Sequence, residues 1–219
     1  CSSDLDSEPV EKAFDFCGMG ARNGVTAALF VESGFTGVRD VLEGEHNALE
    51  ALSQRPQPEA MVADLGTRFY VRESAIKVFS VGYPIQAPLD AFLTLRREHG
   101  LTPANVQRVV VKLPPDGAGI VNDREMPDVN VQYCVAVALI DGTVSFEDSH
   151  SRARMGDPEV LRIKQRVQLV PDPALRDPAA PRSGLVEVPL TDGRTVTHFT
   201  KFPPGTKENP LDDARVAAK

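Results

Sequence analysis

Apolar positions along this chain follow two rhythms, and the change from one to the other divides it. To about Gly66 the spacing is helical. Asn23 is placed to cap a helix carrying Ala27, Ala28, Leu29 and Phe30, with Gly34 at its C-terminal end. Thr36 is placed to cap a second short helix with Val38, Val41 and Leu42, stopped by Gly44, and a third pattern covers 47–52. Arg55-Pro-Gln-Pro58 interrupts this texture. Beyond it, 68–71 and 76–79 read as strands and 88–99 as a helix, with Pro88 in the first turn and Gly100 at the end. In 106–113, Val109, Val111 and Leu113 alternate with Arg108 and Lys112, the pattern of a half-buried strand. A buried helix is expected over 127–140, and another opening at Asp157-Pro158. Strands follow at 167–170 and 186–190, the second turning at Asp192-Gly193 towards Val196. Pro203-Pro-Gly-Thr206 reads as a linker, and Asn209-Pro210 as the start of a last helix.

These elements predict an α+β chain: part of an all-helical domain over 1–66, a smaller α+β domain with a mostly antiparallel sheet over 67–200, and over 201–219 a linker and the start of a helix returning to the first domain. The run Gly18-Met-Gly-Ala-Arg-Asn-Gly24, with Ala27 and Ala28, is rich in small residues and reads as a face for close helix packing. Three short helices cannot bury such faces among themselves, so their partners are expected outside this stretch or in another chain. The chain opens on Cys1-Ser-Ser-Asp-Leu5 without an initiator Met, which fits either a translated adapter stretch or a processed end.

The composition, with 42% hydrophobic and 25% charged residues, is that of a globular chain able to form a core. A net charge of −7 without a basic face speaks against nucleic acid as a partner. It leaves an anionic small molecule open, since local charge can oppose the global sign. No apolar run approaches the roughly 20 residues that cross a bilayer, and no secretory pattern opens the chain. Cys1, Cys17 and Cys134 lack metal-site spacing and read as reduced thiols of a cytoplasmic protein.

Few motifs carry chemistry. Gly18-x-Gly20-x-x-x-Gly24 has the wrong spacing for a dinucleotide loop and no βαβ unit after it. The four histidines are scattered and do not suggest a metal site. His150 lies in the polar run Asp148-Ser-His-Ser-Arg-Ala-Arg154, which reads as surface, with an anion site as the alternative. In Asn122-Asp-Arg-Glu-Met-Pro127, Arg124 is expected to pair with Asp123 or Glu125 at the surface, or else to fix the loop. The strongest candidate is Lys77. In Lys77-Val-Phe-Ser-Val-Gly-Tyr-Pro-Ile-Gln-Ala-Pro88 a lone lysine precedes a Gly/Tyr/Pro loop and a helix, and Ser80, Gly82 and Tyr83 add donors and a close backbone approach. A point charge beside such donors suits a carboxylate, although a solvated lysine has the same local pattern.

The Lys77 loop resembles the Lys-loop-helix signature of the MmgE/PrpD family, which includes 2-methylcitrate dehydratases, cis-aconitate decarboxylases and iminodisuccinate epimerases. Ala21-Arg-Asn-Gly-Val-Thr-Ala-Ala28, Ser33-Gly-Phe-Thr-Gly37, Leu139-Ile-Asp-Gly142, Arg154-Met-Gly-Asp-Pro-Glu-Val160 and Gly205-Thr-Lys-Glu-Asn-Pro210 match in order and spacing. The resemblance implies the later part of a family member. It also implies a cofactor-independent lyase or isomerase that abstracts a proton next to a carboxylate of a small di- or tricarboxylate, working as a homodimer. Lys77 would then be catalytic, and Tyr83, Gln86, Arg22 and Asn23 would bind substrate. The sequence departs from the family where its Lys-x-x-His-x-Gly pattern has Ala13 and Phe16, and where many members have histidine at Gln86. The pattern's remaining acid–base groups would precede Cys1, so this stretch alone is expected to be inactive. A non-catalytic family member acting as an interaction or dimerisation module stays open beside the enzyme.

Overall fold

The computed structural model describes residues 18–217, which fall into two compact units, 18–71 and 72–217. The first unit holds α1 (Met19–Glu32), α2 (Ala48–Leu52) and α3 (Pro58–Val62). α1 starts before Asn23, which therefore lies inside the helix and not at its cap. The helix formers Ala21 and Arg22 extend it upstream, and an exposed glycine costs only about 1 kcal/mol. Its C-terminus closes as expected at Gly34, with φ at 98°. The Gly34 and Phe35 amides donate to the Val31 and Phe30 carbonyls, and the Phe30 and Phe35 rings stack at 5.2 Å. The helix expected from Thr36 does not form. Residues 36–46 make turns, since Gly37, Gly44 and the β-branched Val38 and Val41 disfavour a helix. α2 forms where expected, with the Asn47 side chain accepting from the Leu49 and Glu50 amides.

None of the three helices buries a residue. A Cβ at Gly20 or Gly24 would meet nothing within 4 Å, so the expected close packing is not made among the described residues. Val25, Leu29, Phe30 and Val31 are exposed.

The second unit is a mixed α+β layer. Its helices are α4 (Tyr83–His99), α5 (Pro115–Val121), α6 (Val131–Asp141), α7 (Phe146–His150), α8 (Arg152–Met155), α9 (Pro158–Lys164) and α10 (Asp213–Ala217). The strands are β1 (Val109–Leu113), β2 (Val167–Pro171), β3 (Gly184–Pro189) and β4 (Thr195–Thr200). Their order is β2-β1-β3-β4, with β1 parallel to β2 and the other pairs antiparallel, so the sheet is mixed and mostly antiparallel as expected. In β1, Val109, Val111 and Leu113 are buried while Lys112 pairs across to Glu187 at 2.7 Å. α4 lies on β3 and β4 and packs against α6, which packs against α9. Ile85, Leu89, Phe92 and Leu95 of α4 and Val131 to Leu139 of α6 are buried in one core.

Four expectations for the chain from residue 68 onwards need correction. Residues 76–79 are not a strand, because their backbone groups are bonded elsewhere. The Ile76 amide donates to the Gly205 carbonyl at 2.8 Å, and the Gln86 side chain takes both the amide and the carbonyl of Phe79. Residues 68–71 likewise hold no strand, and a 3-10 turn covers Tyr70–Glu73. α4 begins at Tyr83 with Pro84 in its first turn, so Pro88 lies inside the helix. The ring there is accommodated because β3 places Gly184 against it, where a Cβ would come within 2.8 Å of the Pro88 Cδ. The last helix starts at Asp213, capped by Asp212, whose carboxylate accepts from the Arg215 amide. Asn209 instead closes the 203–209 turn, donating its side chain to the Phe202 carbonyl.

Two further junctions are as read. Asp157 caps α9 with Pro158 in its first turn, and Gly142 ends α6 at φ 82°. The expected helix over 127–140 is split into a 3-10 turn at Pro127–Val129 and α6, because the Asn130 side chain caps α6 at the Tyr133 amide. Cys134 is fully buried, its thiol donates to the Pro127 carbonyl, and burial pushes its pKa well up. It is a small hydrophobe of the core. Cys1 and Cys17 lie outside the described residues, as do Ala13 and Phe16. Among the described residues no helix is long and apolar enough to cross a membrane, and no group of three His, Cys, Asp or Glu could hold a metal ion.

Candidate functional site

The junction carrying Lys77 is built by three restraints. Gly205, at φ 92°, lies so close to Ile76 that a Cβ there would overlap the Ile76 carbonyl. The Gly205 carbonyl accepts from the Ile76 amide at 2.8 Å, and its own amide donates to the Asn209 carbonyl at 2.8 Å. The segment entering Lys77 is therefore pinned by the 203–209 turn. On the far side, buried Gln86 accepts from the Phe79 amide at 3.2 Å and donates to the Phe79 carbonyl at 2.8 Å and the Val81 carbonyl at 3.4 Å. Gly82 then donates to the Asp128 carbonyl at 2.7 Å and packs against Val121 and Val129. Lys77 itself is exposed. The backbone on either side of it is fixed, which sets where its side chain leaves the surface.

The facing loop, 122–130, is equally organised. Buried Asn130 donates to the Arg124 carbonyl at 2.6 Å, and Gln132 bridges the Asp123 amide and the Asn122 side chain. Arg124 does not pair with Asp123 or Glu125. Its guanidinium donates to the Gly119 and Ile120 carbonyls, the natural partners of an arginine at the end of α5. Asp123, at φ 48°, pairs with Lys164 instead, and that bond holds its carboxyl below the usual range. A carboxylate whose folded pKa is depressed stabilises the fold above the ordinary value, and the contribution is lost as pH falls through the folded one. Asp123→Asn, which tolerates the same backbone, should thus lose stability at neutral pH and converge with the parent in acid. Because Asp123 is largely exposed, the difference should stay within about 1 kcal/mol. Urea midpoints from pH 7 down through the carboxylate range check this, and a constant gap at all pH would count against it.

Tyr83, the first residue of α4, is half-buried and lines a cavity of about 210 Å³ together with Glu73, Ala75, Arg182, Thr206 and Lys207. Burial, with Glu208 nearby, raises its hydroxyl pKa, and Arg182 opposes that. Lys77 is not among the residues that line this cavity. Gln86 faces inward, its amide engaged by the loop backbone. Arg22 and Asn23 stand on exposed α1 of the first unit, where Arg22 donates to the Met19 sulfur. His150 stacks on Phe146 and bonds its carbonyl through Nδ1, and Arg154 is held by Asp141 and Asp157, so this stretch is a pair of capped short helices. Arg182 had no signal in the sequence, since it stands in an irregular Pro-rich loop without periodicity.

No curated protein matches the chain by sequence. The model of the MmgE/PrpD C-terminal domain matches residues 79–219, more than half of the chain, and it starts where the Gln86-bound loop leads into α4. With that match over the whole sheet and its helices, the chain belongs to the MmgE/PrpD family, which comprises lyases such as dehydratases and decarboxylases.

Proposed function

We propose that this chain is the substrate-anchoring part of a cofactor-independent lyase or isomerase acting on a small di- or tricarboxylate, of the 2-methylcitrate dehydratase kind. The observation that carries this is the fixing of the Lys77 segment on both sides, by Gly205 at Ile76 and by Gln86 at Phe79. Lys77 grips a substrate carboxylate and stabilises the charge that develops there as the neighbouring carbon loses its proton. Gln86 acts through the loop, as a positioning residue. General acid–base transfer in such reactions is worth roughly 10²–10⁴-fold. The same reading carries a cytoplasmic homodimer with it.

A second reading, an interaction or dimerisation module, is favoured by Ala13 and Phe16 at the family's Lys and His positions and by the exposed apolar side chains of α1. Turnover separates the two. With the protein from the full reading frame that contains this chain, Lys77→Ala should lower kcat/KM on 2-methylcitrate or cis-aconitate by the equivalent of about 1.5–3 kcal/mol, the worth of a charge-assisted contact. Lys77→Arg should rescue only in part, since its fork is larger and differently directed. Unchanged kinetics for Lys77→Ala would overturn the anchoring role, and no turnover by the parent would favour the module.

A further inference from the structure

The cavity beside Tyr83 has a chemistry of its own. Three cations line it, but two are already engaged: Lys201 with Asp177 at 3.0 Å and Lys207 with Glu73 at 3.5 Å. Arg182 is different. It is half-buried, its guanidinium lies beside Gly117, and among the described residues it has no ion pair or hydrogen bond. The Tyr83 hydroxyl is likewise without a hydrogen-bond partner among the described residues. Two unused donors, a planar cation and a neutral hydroxyl, therefore share one concave site.

A volume of about 210 Å³ is below the ~300–1,000 Å³ of drug-sized pockets and suits a small ligand. We propose that this cavity is a binding site for a small carboxylate, with Arg182 donating both arms of its fork to the two oxygens and the Tyr83 hydroxyl donating to one of them. The guanidinium fork matches carboxylate geometry, and its packing over Gly117 fixes the approach. Glu73 and Glu208 lie at the same cavity and act against extended polyanions, which favours a compact acid. The site stands apart from the Lys77 reading, since Lys77 does not line it.

Calorimetric titration of the whole chain with succinate, and separately with inorganic phosphate at matched ionic strength, tests the proposal. Saturable succinate binding is expected, weakened at least about tenfold in Arg182→Gln, as for loss of a charge-assisted pair. Tyr83→Phe should weaken it several-fold, and Arg97→Gln, at an exposed arginine that does not line the cavity, should leave it unchanged. Should Arg182→Gln fail to fold, phenylglyoxal labelling of the parent chain takes its place: succinate should slow modification of Arg182 but not of exposed Arg97. Full binding by Arg182→Gln, equal loss in Arg97→Gln, tighter binding of phosphate than of succinate, or neither saturable binding nor protection of Arg182 would each overturn it.

Discussion

Replacing Gly205 by alanine should lower the stability of the 72–217 unit by about 2–6 kcal/mol, combining backbone strain of roughly 1–3 kcal/mol with an overpacking cost of similar size. Both terms come from the same place. At φ 92° an L side chain is strained whatever the space around it, and a Cβ here would overlap the Ile76 carbonyl. Relief would require the 203–209 turn to separate from the segment, breaking the bond between the Ile76 amide and the Gly205 carbonyl. Urea denaturation measures the loss, and faster hydrogen exchange at the Ile76 amide locates it. Gly205→Asn separates the causes, because asparagine tolerates positive φ while still carrying a Cβ. It should remain as harmful as alanine if the overlap dominates. Stability within about 0.5 kcal/mol of the parent for both variants, the range of ordinary surface changes, would show that nothing is pinned at this point.

Phe92→Ala should cost about 3–5 kcal/mol, the range for emptying a buried aromatic site. Phe92 is 0% exposed in the middle of α4, the helix that touches β3, β4 and α6 together. The loss is a large share of the 5–15 kcal/mol that holds a typical domain. Phe92→Leu keeps most of the volume and should cost less than about 1.5 kcal/mol. The urea midpoint should fall with little change of slope, since the exposed area on unfolding is nearly the same. A cost below 1 kcal/mol for the alanine variant would mean that the site collapses around the gap, contrary to a close-packed core.

The elements that could be read from the sequence are those whose local signals and tertiary needs agree. Val109, Val111 and Leu113 alternate because one face of β1 meets helices, and Asp157-Pro158 opens α9 because cap and proline act within one turn. Residues 76–79 failed for the opposite reason. Their apolar, β-branched run suits a strand, but their backbone partners are a turn about 130 residues away in sequence and a glutamine side chain, which no local rule anticipates. Pro88 misled similarly: its place inside α4 depends on a glycine in β3 that makes room for the ring. Lys77 was legible as a charge at an element junction. Arg182 was not, because what distinguishes it is the absence of a partner among the described residues.

The order of the sheet carries a consequence for how the chain reaches this structure. β1 pairs on one side with β2, Val109 against Val167, and on the other with β3, Val110 against Glu187. During synthesis the apolar strand Val109-Val-Val-Lys-Leu113 emerges well before either neighbour exists. Pairings between segments so distant in sequence slow folding, and an unpaired apolar strand is prone to associate with copies of itself. Expression at lower temperature or with holdase chaperones should accordingly raise the soluble yield, and a chain cut before β3 should accumulate in inclusion bodies even though most of its helices are present.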